Sequence, residues 1–223
     1  MKKEIMRHLS VILALFLSFC SIVSCAQGKA DKDAKTQETI SMKAGKKILV
    51  AVFSHTGENY AVGEITKGNT HIVAEMIAEN TGGKLFEIVP VREYPKTYNA
   101  CVDVAKKEKE AGAYPAVKYD TAVEEYDVVF LGYPNWWGDM PMPVYTFIAK
   151  HKWQGKTVIP FCTHEGSGLS STERYIIEAC KGATVEKGLA VRGATAQNKR
   201  EQARESVAQW LKRLGFEKEV EIE

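Results

Sequence analysis

KILVAVFSHTG, residues 47–57, decides the fold. From Ile48 to Phe53 the run is unbroken and apolar, without the polar alternation of a half-exposed strand. Such a run is expected of a strand buried on both faces, as in a parallel sheet covered by helices. A small loop of hydroxyls and glycine follows, Ser54-His55-Thr56-Gly57. A helical pattern starts near Asn69-Thr70, with Ile72, Val73, Met76 and Ile77 on one stripe and Gly82-Gly83 at its end. A strand, a hydroxyl loop and a helix in that order suit a phosphate group. Amides at the helix start and the Ser/Thr hydroxyls would donate to it, and the helix dipole would add attraction. Alone this is a weak signal, because many strand-helix turns look alike. The glycine fingerprints of dinucleotide sites (GxGxxG) and of nucleoside-triphosphate loops (GxxxxGK[ST]) are both absent.

Working outward, apolar runs and helical patterns alternate. Strands are expected at 85–89, 127–131, 156–162 and 189–191. Helices are expected at 98–110, 144–150, 171–180 and 200–214, the last with Ala203, Val207, Trp210, Leu211 and Leu214 inward. The KKEKE run within 98–110 reads as a solvated face. Five strands alternating with helices predict an α/β three-layer sandwich, a parallel sheet with helices on both faces. In such sheets ligands bind outside the carboxyl ends of the strands, where strand order reverses.

Two further loops therefore matter. LGYPNWWGDMPMP, residues 131–143, sets Trp136 and Trp137 side by side among glycine and prolines. A core plug or a partner contact would explain them; so would a platform for a flat ligand. Residues 163–168, Thr-His-Glu-Gly-Ser-Gly, follow the fourth strand, and their glycines allow close backbone approach and positive φ. Ser167 does not make a nucleophile elbow, because GxSxG would need glycine where Glu165 stands. His164 beside Glu165 is weak evidence for acid-base chemistry, since neighbours need not face one site. Together the three loops describe a site for a flat ring with a phosphorylated tail.

Charge and cysteines bound the rest. Seven Lys/Arg and four Asp/Glu lie up to Gly45, leaving 23 and 24 for residues 46–223, so that part is almost neutral. Nothing in it points to nucleic acid. Residues 1–25 read as a signal peptide: Lys2, Lys3 and Arg7 precede an apolar stretch from Leu9 to Val23. Ile22-Val23-Ser24-Cys25 resembles a bacterial lipobox, which would make Cys25 a lipidated first residue; ordinary cleavage after Ala26 is the other reading. Residues 26–45 read as a flexible polar tether, and residues 46–223 as one domain. Cys101, Cys162 and Cys180 fit no zinc or CxxC spacing. Cys162 reads as a small buried hydrophobe, and a disulfide between two of the three stays open.

ILVAVFSHTG, GNTHIVAEMIAENTGGKLFEIVPVREYPKTYN, YDVVFLGYPNWWGDMPMPVYTFI and GKTVIPFCTHEGSGLSS resemble the flavodoxin-like family, in particular its bacterial short-chain branch with a double-tryptophan loop. The likeness spans about residues 46–214. It implies strand order 2-1-3-4-5 with FMN at the switch between the first and third strands. It implies that Ser54, His55, Thr56, Gly57, Asn69 and Thr70 meet the phosphate. Pro134, Asn135, Trp136, Trp137 and Gly138 would flank the isoalloxazine on one side, and Thr163, His164, Glu165, Gly166 and Gly168 on the other. One tryptophan would meet the ring and the other would pack against the protein. Glu165 and Asp139 would oppose a reduced, anionic flavin. One departure stands out: ENYAVGEITKG, residues 58–68, reads as a loop inserted beside the phosphate. An alignment using Asn59 in place of Asn69 is possible, but a cap belongs just before the periodic helix. No catalytic acid, base or nucleophile is demanded. The expected function is electron transfer in the cell envelope, with a redox protein or a small-molecule acceptor as partner and only a lipid anchor in the membrane. The alternative is an NAD(P)H-dependent quinone or nitro-compound oxidoreductase. A binding protein with a degenerate site is a third class, against which the intact loops argue.

Overall fold

The computed structural model describes residues 45–216. The expected signal peptide, the lipidation at Cys25 and the tether up to residue 44 lie outside the described residues.

Strand β1 (Ile48–Val52) forms from the apolar run. Its side chains alternate between two cores: Leu49 and Ala51 enter one, Val50 and Val52 the other. This two-sided burial is why the run shows no polar alternation. Two short strands follow, β2 (Gly57–Asn59) and β3 (Gly63–Ile65), and then helix α1 (Asn69–Thr81). Next come β4 (Lys84–Glu87), α2 (Tyr98–Glu110), β5 (Val128–Pro134), α3 (Met142–Ala149) and β6 (Thr157–His164). The chain continues through α4 (Thr172–Ala179), β7 (Thr184–Val185), β8 (Leu189–Arg192), α5 (Gly193–Asn198) and α6 (Arg200–Arg213).

The main sheet is parallel and runs β4-β1-β5-β6, with β7 and β8 sharing the far side of β6. This is the expected order 2-1-3-4-5. Helices α1, α5 and α6 cover one face, where Ile72, Val73, Ile77, Ala203, Val207 and Trp210 pack on Val50, Val52 and Phe130. Helices α2, α3 and α4 cover the other through Cys101, Ala105, Val144, Phe147 and Ile176. Gly132 makes room in the first of these layers: a β-carbon there would lie 2.1 Å from the Phe161 ring.

Three details differ from the reading of the sequence. The fifth strand is split. Val158 pairs with Val185 and Phe161 with Leu189, so two residues lie between the paired positions on β6 and three on the other side. The Val158 carbonyl accepts from the Glu186 amide at 2.9 Å, so it faces this edge. Two residues on, Pro160 faces the same edge and has no N–H to offer. Second, residues 57–65 form an antiparallel hairpin, β2 with β3, where a loop was expected. Ala61 and Gly63 take positive φ at its turn, 66° and 70°. Third, α5 is a short helix that no periodic stripe announces.

Candidate functional site

The first loop is pinned to α1 by its own hydroxyl. Ser54 Oγ accepts from the His71 amide at 3.1 Å. Helix α1 begins at Asn69 with Gly68 as N-cap, so Asn69 and not Asn59 stands at the helix start. Gly68 is needed for close approach: a β-carbon would fall 2.1 Å from Ser54 Oγ and 2.6 Å from the His55 carbonyl. The amides of Asn69 and Thr70 have no intrahelical acceptor, and the positive end of the helix dipole lies there. Asn69 Oδ1 is buried without a partner. Thr70 is placed differently from expectation: its hydroxyl is buried and shares a 2.7 Å hydrogen bond with Thr163, tying α1 to β6.

Thr56 meets a residue the sequence did not single out. Lys96 Nζ donates to Thr56 Oγ1 at 2.8 Å. The chain packs so closely that a β-carbon on Gly57, which has φ 99°, would sit 2.7 Å from the Lys96 carbonyl. Nothing in the spacing of 40 residues could have shown this pairing. Both loop hydroxyls thus accept an N–H from the protein, which leaves the hydroxyl proton of each to donate outward. His55 has its ring edge-on to Trp136 and Tyr94, with centroids 5.8 and 6.4 Å away, and its Nε2 is buried without a partner. Burial, helped by the Lys96 charge, holds its pKa down at about 4.

The two tryptophans have different jobs. Trp136 and Asp139 exchange backbone hydrogen bonds at 2.9 and 3.0 Å, closing a tight turn. Its central residues, Trp137 and Gly138, both have positive φ, 56° and 73°, as a type I′ turn requires. Trp136 turns inward, edge-on to Phe53 at 5.4 Å and Tyr94 at 5.0 Å between centroids. Trp137 stays half exposed, at 50%. Its indole N–H donates to the Val102 carbonyl at 3.3 Å, its own carbonyl accepts from Lys109 at 2.7 Å, and Lys106 lies 5.4 Å from its ring. A left-handed φ is strained for a bulky residue, and these contacts from α2 hold it. Asp139 is engaged locally: Oδ1 accepts from the Met140 amide and the Tyr145 hydroxyl, and Oδ2 lies 3.4 Å from Lys109.

The loop after β6 is stitched to the loop after β5. The Asn135 amide donates to the Thr163 carbonyl at 2.8 Å, and its side chain donates to the Gly168 carbonyl and Ser170 Oγ. Cys162 Sγ also reaches the Gly168 carbonyl. Gly166 and Gly168 have positive φ, 148° and 60°. His164 Nδ1 accepts from the Gly166 amide, and burial lowers its pKa. Glu165 accepts from the Ala194 amide at 2.7 Å at the start of α5, and its charge partly opposes the lowering of the His164 pKa. His164 and Glu165 therefore form no acid-base pair, and Glu165, like Asp139, is occupied by protein donors. Among the described residues no group of His, Cys, Asp and Glu could hold a metal ion.

Neighbouring strands lie ~4.8 Å apart, so the loops after β1, β5 and β6 share a rim on the order of 10 Å wide. One end offers open amides, outward hydroxyls and a cation. The loop after β5, in the middle of that rim, offers an exposed indole on a rigid turn.

Solved structures share this architecture. A protein described as a flavoprotein from Bacteroides uniformis is 31% identical, with a TM-score of 0.59 over 75% of this chain and 99% of its own. One described likewise from Bacteroides eggerthii is 28% identical, with a TM-score of 0.60 over 76% and 98%. A flavoprotein in complex with FMN from Lactobacillus acidophilus has the same fold, at 22% identity and a TM-score of 0.52 over 70% and 98%. No curated protein matches the chain. The flavodoxin family model matches residues 47–213, the whole span from β1 to the end of α6. The chain, with its hydroxyl loop, tryptophan turn and glycine loop on one sheet rim, belongs to the flavodoxin family.

Proposed function

We propose that this flavodoxin binds FMN on the β1-β5-β6 rim and transfers electrons in the cell envelope. The observation that carries the reading is the polarity of the rim, an anion grip at β1 and an aromatic surface at β5. The Asn69 and Thr70 amides and the Ser54 and Thr56 hydroxyls would hold the phosphate, with Lys96 as countercharge. Asn69 Oδ1, otherwise orphaned, would accept from a hydroxyl of the tail. The Trp137 indole would meet the ring, and the 163–168 backbone would meet its polar edge. FMN, when bound, supplies one- and two-electron chemistry. The chain's part is to hold it, orient it and keep its tail desolvated among fixed donors. No side chain on the rim is arranged as a nucleophile or as an acid-base pair, which favours electron transfer over group transfer.

The envelope location rests on the leader sequence and is part of the proposal. The test is an absorbance spectrum of the purified protein, followed by release and identification of the chromophore. A colourless protein that takes up no FMN at micromolar concentration would sink the reading. Stopped-flow mixing with NAD(P)H separates the carrier from a nicotinamide-dependent oxidoreductase: rapid bleaching of the flavin supports the latter.

A further inference from the structure

Three non-glycine residues among those described take a left-handed φ: Ala61, Trp137 and Ser170. Ala61 turns the hairpin and Trp137 turns the loop after β5. Ser170, with φ 52°, is exposed and lies between the glycine loop and the start of α4. A serine holds that conformation at a cost that glycine avoids. Strain of this kind persists where the surrounding contacts over-determine it. The contacts of the Ser170 side chain are therefore informative.

Its hydroxyl closes a clasp between two loops. Ser170 Oγ accepts from Asn135 Nδ2 at 3.0 Å and donates to the Ser167 carbonyl at 3.2 Å. It also lies 3.9 Å from where a β-carbon on Gly138 would stand. One atom thus reaches the tryptophan turn at Asn135 and Gly138 and the glycine loop at Ser167. The other N–H of the Asn135 side chain goes to the Gly168 carbonyl at 2.8 Å. A carbonyl cannot donate, so the nitrogen of the Asn135 amide must be the atom that faces Gly168. Both of its N–H groups are then spent in the clasp. At the roots of the two loops the backbone already joins them, through the Asn135 amide and the Thr163 carbonyl. Farther out, the hydrogen bonds between turn and loop run from the Asn135 side chain to Gly168 and Ser170.

We propose that Ser170 is a positioning residue for the cofactor: through Asn135 it sets the gap between the tryptophan turn and the glycine loop, the two walls of the isoalloxazine seat. Its part is to hold Asn135, not to touch the ring. Glycine would relax the backbone at this point but has no hydroxyl with which to close the clasp. The proposal takes its purpose from the flavin reading above, and the clasp itself can be tested without flavin.

Two variants separate the hydroxyl from the strain. Ser170→Ala removes the hydroxyl and keeps the left-handed φ, whereas Ser170→Gly removes both. In the FMN-free full chain, NMR follows the Asn135 side-chain N–H signals and the backbone signals of residues 166–168. We expect these to move in the same pattern in both variants. The indole signals of Trp153 and Trp210, buried elsewhere, should stay still. FMN titration by flavin fluorescence should show about a two- to tenfold weaker affinity in both variants, the worth of one hydrogen bond. Urea unfolding should part them, with Ser170→Gly outlasting Ser170→Ala because its backbone is relaxed. A loss of affinity in the less stable variant alone would mark Ser170 as merely structural and overturn the proposal. Full affinity in both variants, or unmoved Asn135 signals, would overturn it as well. A wild-type chain that takes up no FMN would remove the flavin reading and the purpose of the clasp with it. The Asn135 signals would still decide whether Ser170 holds the two loops together.

Discussion

At the scale of the residue, the adjacent tryptophans are separable. Trp136 is wedged among Phe53, His55 and Tyr94, whereas Trp137 is half exposed on a strained turn. Trp137→Ala should weaken FMN by the worth of one stacked aromatic, ~1–3 kcal/mol, with little change in the melting transition. Trp136→Ala should do the reverse, costing stability near the lower end of the ~3–5 kcal/mol typical of buried tryptophans. Flavin fluorescence titration and urea unfolding on both variants give the comparison; equal effects in both assays would contradict it. His55 sets a pH dependence. Its folded pKa of about 4 lies below the ordinary value near 6.5, so between these values the unfolded chain binds more protons. Stability attributable to this group should therefore fall as pH drops from about 6.5 towards about 4, and stay level above. The groups it faces are Lys96, Tyr94 and Trp136. His55→Gln should flatten that part of the melting-temperature profile, and an unchanged slope would assign the effect elsewhere.

Among the elements, the passage from β1 through its loop to α1 is tightly packed. A methyl group on Gly68 would meet the His55 carbonyl, a backbone atom that cannot rotate away. Gly68→Ala should cost roughly 1–3 kcal/mol, the range for overpacking, and weaken FMN by parting the loop from the helix start. Urea unfolding and flavin titration measure the two losses, and a variant as stable as the parent would show that the loop can shift. The elements also show how far the sequence could be read. β1, β5 and β6 were legible because burial on both faces writes itself as an unbroken apolar run. α1 and α6 were legible because one-sided burial writes a stripe. The hairpin was not: its strands are three residues long, and Gly57, Glu58 and Asn59 carry no alternation. The split in the fifth strand depends on a proline in a different strand. Of the site, the three loops could be placed, but not the directions of their side chains. Glu165 turns to α5, Thr70 to Thr163, and Lys96 arrives from 40 residues away.

Across the whole molecule, the two cores on either side of the sheet hold everything described, and their sulfur atoms are quiet. Cys101, Cys162 and Cys180 are buried and free, and burial pushes each thiol up to about 12. Since the thiolate is the reactive form, the folded domain should resist alkylation at about pH 8 at all three positions and accept it once unfolded. Peptide mass mapping after a timed pulse of iodoacetamide reads this directly, and fast labelling of any of the three in the native protein would contradict it. The free state of these thiols reaches further than their reactivity. With no covalent staple between its described strands, the domain draws its cohesion from packing and hydrogen bonds. Once folded, the described domain has no disulfide for a reductant to break, and dithiothreitol should leave its heat resistance untouched.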